Sequence, residues 1–129
     1  MKNKKTILVV DDDPLITRMY QKRLTDDGYD VETASNGEEA ILALRRKIPN
    51  LIILDIMMPK MNGVETLKFL KGDASTASVS VIILSNLGDR TEDIDKAKQM
   101  GALDYLVKSN ITLKQLSERV EKVFGRAGE

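Results

Sequence analysis

Leu51-Ile52-Ile53-Leu54-Asp55 is the stretch on which the fold turns. Four large apolar side chains in succession are too few for a helix and too continuous for a strand wet on one face, so the segment reads as a strand covered on both sides. It ends in a carboxylate. The same shape recurs as Ile7-Leu8-Val9-Val10 before Asp11-Asp12-Asp13, and as Val81-Ile82-Ile83-Leu84 before Ser85. Tyr29 to Thr33, with Asp30 and Glu32 interleaved, and Asp104 to Lys108 carry more polar residues and suit the edges of the same sheet.

Helical spacing fills the intervals. Pro14 to Asp27 places Ile16, Met19, Tyr20 and Leu24 on one face, with Asp13 as its cap and Gly28 as its stop. The other helices are expected at Glu38 to Lys47, Val64 to Lys71, Thr91 to Met100 and Leu113 to Phe124, and the fourth has the thinnest apolar stripe. Gly72 to Ser80 reads as a small-residue loop and Arg126 to Glu129 as a frayed tail. Strict alternation of strand and helix calls for an α/β fold, a five-stranded parallel sheet with helices on both faces and right-handed crossovers. If strands one, three and four are central, the order is 2-1-3-4-5, and the order reverses between strands one and three. Ligands of such sheets bind beyond the strands' carboxyl ends at that switch point.

The composition narrows the chemistry. With 129 residues and 42% hydrophobic content the chain reads as one domain over 1–129, its core about 6–124. It has no Cys and no His, which removes disulfides, thiol nucleophiles, histidine-dependent triads and nearly all zinc sites. Twenty basic and twenty acidic residues cancel, so no basic field favours nucleic acid or an acidic membrane surface. No apolar run approaches the roughly 20 residues that span a bilayer, and Met1-Lys2-Asn3-Lys4-Lys5 lacks an apolar signal core. A cytoplasmic address is expected.

Four strands bring polar groups to one rim: Asp11, Asp12 and Asp13 on the first, Asp55 on the third, Ser85 on the fourth, Lys108 on the fifth. Two carboxylates about 4 Å apart repel by roughly 4 kcal/mol at an effective dielectric of 20, so the cluster needs a cation or raised pKa values. Oxygen donors with room for water suit Mg²⁺. Such sites serve phosphoryl groups, which Ser85 and Lys108 are equipped to hold, and Asp55 becomes a candidate nucleophile giving an acyl phosphate. Plainer readings stand beside these: Asp13 as a helix cap, Ser85 and Lys108 as ordinary loop residues, and Met57, Met58 and Met61 as a loop packed on the core rather than a soft-metal box. The charge-dense Gly88 to Gln99 reads as a solvated helix face.

Val9-Val10-Asp11-Asp12, Asp55-Ile56-Met57-Met58-Pro59-Lys60-Met61-Asn62-Gly63, Ser85 after an apolar strand, and Asp104-Tyr105-Leu106-Val107-Lys108, in this order and at these spacings, resemble the receiver domain of two-component response regulators, the chemotaxis-type flavodoxin-like fold. The likeness runs from Ile7 to about Phe124. It implies that Asp55 accepts a phosphoryl group from a phosphohistidine on a histidine kinase or histidine phosphotransfer protein. It further implies Mg²⁺ bound by Asp12, Asp55 and the main-chain carbonyl of Met57, with Asp11 acting through a metal-bound water. By the same resemblance Ser85 is the switch hydroxyl, Lys108 the phosphate-binding lysine, and Tyr105 the aromatic that turns inward as the face of helices four and five changes. The domain would assist its own phosphorylation and the hydrolysis of its acyl phosphate. A chain without histidine cannot be its own phosphohistidine donor, so transfer occurs in trans.

Three departures from the family pattern carry expectations. Asn86 follows the switch hydroxyl where a small residue is usual, which puts phosphorylation and hydrolysis rates in question. Ser85 itself replaces the commoner threonine. Ser109 follows Lys108 where a cis proline is usual, and a non-proline cis bond costs about 3–4 kcal/mol, so a trans bond and an altered lead-in to helix five are expected. Two rival classes remain: a Mg²⁺-dependent small-molecule phosphatase or phosphotransferase, disfavoured by Met57 standing where a second carboxylate is usual, and a nonphosphorylated receiver-like scaffold. The downstream effector is not specified, and a phosphorylation-dependent homodimer is compatible with this reading.

Overall fold

The computed structural model describes residues 4–58, 60–86 and 88–125. Its elements alternate as β1 Thr6–Val10, α1 Pro14–Asp26, β2 Asp30–Ala34, α2 Gly37–Arg46, β3 Leu51–Asp55, α3 Gly63–Gly72, β4 Ser80–Ser85, α4 Thr91–Gln99, β5 Asp104–Val107, a 3₁₀ turn Lys108–Asn110, and α5 Leu113–Val123. The sheet is parallel throughout, in the order β2-β1-β3-β4-β5. Both the topology and the choice of edge strands agree with the sequence reading, because the unbroken apolar runs do occupy the doubly covered positions.

Alternation along the strands divides the core in two. Leu8, Val10, Ile52, Leu54, Val81 and Ile83 pack under α2, α3 and α4. Ile7, Val9, Leu51, Ile53, Ile82, Leu84 and Leu106 face Tyr20 and Leu24 of α1 and Leu116 and Val120 of α5. Full burial of each such side chain contributes about 1.5–3 kcal/mol.

Helix ends agree with expectation within a residue. Asp13 caps α1, its carboxylate accepting from Leu15 N at 2.9 Å, and Gly28 takes a φ of 103° beyond its end. Tyr29 belongs to that stop rather than to β2, since its N–H donates to Leu24 O at 3.1 Å, which moves the strand one residue on. Met19 and Phe69 are more exposed than the helical spacing suggested, at 37% and 36%, and Gly72 closes α3 instead of opening the loop. Of the loop methionines only Met58 is buried, while Met57 is largely exposed. The expected frayed tail, Arg126 to Glu129, lies outside the described residues. No described helix is long and apolar enough to cross a membrane.

Candidate functional site

β1 and β3 are paired so that Val10 stands opposite Leu54, which leaves the next residues, Asp11 and Asp55, side by side at the rim. Each follows by two positions a residue of the α1/α5 core face (Val9, Ile53), as Lys108 follows Leu106. Three charged groups therefore converge from three strands on one side of the sheet. Lys108 Nζ lies 2.7 Å from Asp11 Oδ2 and 3.0 Å from Asp55 Oδ2, with its side chain 10% exposed and both carboxylates fully enclosed. Asp55 Oδ1 accepts from Met57 N at 3.2 Å, and Asp11 Oδ1 accepts from Asp13 N at 2.9 Å.

The electrostatics follow from this crowding. Burial, then the neighbouring Asp11 charge, push the Asp55 carboxyl up to about 7, against the opposing pull of Lys108 and of the Met57 N–H. Burial alone would lower the Lys108 ammonium, but the two carboxylates beside it, Asp11 and Asp55, outweigh that and hold it above the usual lysine value.

Asp12 joins from the exposed side. One carboxylate oxygen from each of Asp11, Asp12 and Asp55 falls within 4.8 Å of the others, a grouping able to hold a metal ion. Asp11 Oδ2 is buried without an aligned hydrogen-bond donor, because the Lys108 contact is an ion pair off the hydrogen-bond axis. A buried oxygen short of a partner, among oxygen-only donors, fits a hard dication.

Ser85 continues the opposite core face, after Val81 and Ile83. It is buried, and its hydroxyl makes a long 3.4 Å bond to Leu106 O rather than one to the carboxylates. Tyr105 lies outward, 37% exposed, with Lys98 Nζ 4.2 Å from its ring centroid. Asn86 is exposed, its N–H donating to Asp89 Oδ2 at 2.7 Å. No cis peptide occurs among the described residues, and the 3₁₀ turn at Lys108–Asn110 leads into α5, in line with the trans Lys108-Ser109 expectation.

Residues 7–121 match the family described as the response regulator receiver domain. The chain belongs to that family. The standard function of this domain is to accept a phosphoryl group, and receiver domains generally bind Mg²⁺. This receiver is 43% identical over 124 residues to the probable transcriptional regulator ycf27 of Pyropia yezoensis, covering 96% of this chain and 49% of the relative. It is 36% identical to the alkaline phosphatase synthesis transcriptional regulatory protein PhoP of Bacillus subtilis (strain 168), covering 95% and 50%. The chain thus spans about half the length of the curated relatives it matches. Among solved structures, chemotaxis protein CheY4 of Vibrio cholerae superposes with a TM-score of 0.85 at 30% identity, covering 94% and 99%. The CheY-like receiver domain protein of Methanospirillum hungatei JF-1 superposes with a TM-score of 0.88 at 26% identity, covering 96% of each.

Two features of the receiver escaped the sequence reading. The direct bridging of Asp11 and Asp55 by Lys108 was one, since Lys108 was expected to serve phosphoryl oxygens only. The other was the glycines that let the backbone close on the site. A methyl on Gly63 would lie 2.2 Å from Asp55 O and 2.7 Å from Ile56 Cα, so α3 begins against the end of β3 only because residue 63 has no side chain. A glycine at the start of a helix, where a better helix former would stand, is the signal that could have found it.

Proposed function

We propose that this receiver takes a phosphoryl group on Asp55, in trans, from a phosphohistidine on a histidine kinase or histidine phosphotransfer protein. The observation that best supports this reading is the buried ammonium of Lys108 set between Asp11 and Asp55 at the strand ends. A carboxylate oxygen of Asp55 forms the new O–P bond as the N–P bond to the donor imidazole breaks, the electron pair returning to the imidazole nitrogen. Phosphoryl transfer rests on positioning and charge, and that is what the neighbours offer. Lys108 is free to exchange one carboxylate partner for a phosphoryl oxygen, and Ser85 has only a long bond to give up before donating to another. Water later attacks phosphorus, releasing phosphate and restoring the carboxylate.

Asp12, Asp55 and the Met57 main-chain carbonyl would hold Mg²⁺, with Asp11 reaching it through water; the ion would supply positive charge toward the phosphoryl oxygens. Asp55 attacks only when ionised, so anything that draws off its proton near neutral pH favours transfer.

The product is a conformation, in which Ser85, Tyr105 and the α4/β5/α5 face shift together. Residues 1–129 would act as one receiver unit in the cytoplasm, contacting no nucleic acid or membrane themselves. Because the curated relatives are named as transcriptional regulators, the output we propose is transcriptional control through a separate effector, with phosphorylation-dependent pairing of receivers as one route. Intact mass after incubation with Mg²⁺ and a small acyl-phosphate donor tests the core of this reading. A labile phosphoryl adduct is expected on the wild type and not on Asp55→Asn; no adduct on the wild type even with a matched kinase, or steady turnover of a sugar phosphate, would overturn it.

A further inference from the structure

Gly37 opens α2, on neither of the strands that carry the acidic cluster. Its φ is not positive, so no turn geometry demands a glycine there. Space does. A Cβ at residue 37 would lie 2.3 Å from Thr66 Oγ1, 2.6 Å from Met61 O and 2.7 Å from Met61 Cβ, all under the 3.0 Å that real Cβ contacts essentially never breach. Its N–H also donates to Met61 O at 3.1 Å. The start of α2 is therefore pressed against the outer limb of the β3–α3 loop, whose inner limb begins with Asp55, Ile56 and Met57.

The other end of the same short segment holds the opposite arm of the site. Ala34 O accepts from Asp11 N at 3.1 Å, so only Ser35 and Asn36 separate the residue bonded to Asp11 from Gly37, which is bonded to Met61. That connection is stiff: Asn36 Oδ1 accepts from Glu39 N at 2.9 Å, and Glu39 Oε1 accepts from Ser35 N at 2.8 Å and from Ser35 Oγ at 2.7 Å. The far limb is stiff as well, since Thr66 Oγ1 donates to Asn62 O at 2.8 Å while Gly63 N holds Ile56 O at 2.8 Å. Lys60, in the same loop, is the one described non-glycine residue with positive φ, at 61°, a conformation that persists only where surroundings enforce it.

We infer that the Ala34–Gly37 turn is a strut that sets the separation between the Asp11–Asp12 arm and the β3–α3 loop, and that Gly37 is a positioning residue for the divalent cation held between them. The inference rests on the proposed Mg²⁺ site and adds to it a determinant that touches neither ion nor phosphoryl group. Its currency is ion affinity. Supports of metal ligands typically govern affinity by 10–100-fold, and a methyl at residue 37 must drive Met61 and the loop away from α2.

Calorimetric titration of the full chain with Mg²⁺ tests it. Gly37→Ala is expected to raise the dissociation constant at least tenfold. Asn36→Ala, which frees the α2 cap without a clash, is expected to raise it about threefold, and it decides the matter if Gly37→Ala does not fold. Val120→Ala, in the distant α5 core, supplies the stability control: it should lower the melting temperature and leave the dissociation constant unchanged. Backbone amide shifts of Asp11 and of residues 57, 58, 60 and 61 in metal-free protein should move in Gly37→Ala and not in Val120→Ala. Affinities of both α2 variants within twofold of the wild type would overturn the strut, as would an equal loss in Val120→Ala. A wild type that binds no Mg²⁺ would instead overturn the metal site itself.

Discussion

Burial of Asp55 and the charge of Asp11 beside it push this carboxyl from the ordinary 3.8 up to about 7, against the pull of Lys108. Between those values the folded chain holds a proton that the unfolded chain has lost. The stability linked to that proton is complete below about pH 4 and is lost as pH climbs through 7. Without metal, the melting temperature should therefore fall from pH 5 to pH 8, and no histidine competes for that window. Asp55→Asn should flatten the fall and, at pH 8, melt about 5 °C above the wild type; parallel pH curves for the two proteins would refute the assignment. Lys108 is the counterweight. Lys108→Met leaves two enclosed carboxylates with no cation between them and should cost about 3 kcal/mol in urea unfolding at pH 8 in chelator. The cost should shrink at pH 5, where Asp55 takes up a proton, and millimolar Mg²⁺ should restore part of it; an equal loss at both pH values would count against the coupling.

Helices differ in how they are tied down. α3 and α5 begin with reciprocal capping boxes, Asn62 with Glu65 and Thr112 with Gln115. Arg90, before α4, makes no capping side-chain bond, and Ala97 is the one fully buried residue of that helix. Amides of α4 should therefore exchange with solvent about 10–100-fold faster than those of α5. Arg90→Ser, which supplies a capping hydroxyl worth about 1 kcal/mol, should slow them about fivefold; α4 protection equal to that of α5 in the wild type would contradict this. The sparse burial of α4 was legible in its thin apolar stripe, just as the central strands were legible in runs such as Leu51 to Leu54, because patterning reports burial directly. Asp11, Asp55 and Lys108 were legible for a related reason: each stands at the end of a strand or one residue past it, and parallel topology brings strand ends together. What stayed hidden depends on distances across the chain. The exposure of Met19 and Phe69 reflects how far neighbouring helices reach around each face, and the role of Gly37 depends on a loop that arrives from β3. Neither quantity is written in local periodicity.

The two faces of the sheet give the molecule its division of labour. Asp11, Asp55 and Lys108 extend the α1/α5 face, whereas Ser85 extends the α2/α3/α4 face, so the hydroxyl proposed as the switch stands at the border between the charged centre and the least anchored helix. In the switch we propose, a phosphoryl group would draw Ser85 off Leu106 O at that border, and Tyr105, outward beside α4, would follow. One contact opposes the movement. Lys98 of α4 lies over the Tyr105 ring at 4.2 Å, and an exposed cation–π pair of this kind contributes about 0.5–1 kcal/mol to the arrangement that contains it. Because it favours the outward ring, Lys98→Met should tilt the balance toward the phosphoryl-bound arrangement and tighten binding of a phosphoryl mimic such as beryllium fluoride with Mg²⁺ by about 2–5-fold. Tyr105→Phe keeps a ring for the cation and should stay close to wild type. If Lys98→Met leaves the affinity unchanged or weakens it, the ring is not held outward by that ammonium, and the resting state must be set elsewhere on the α4/β5 border.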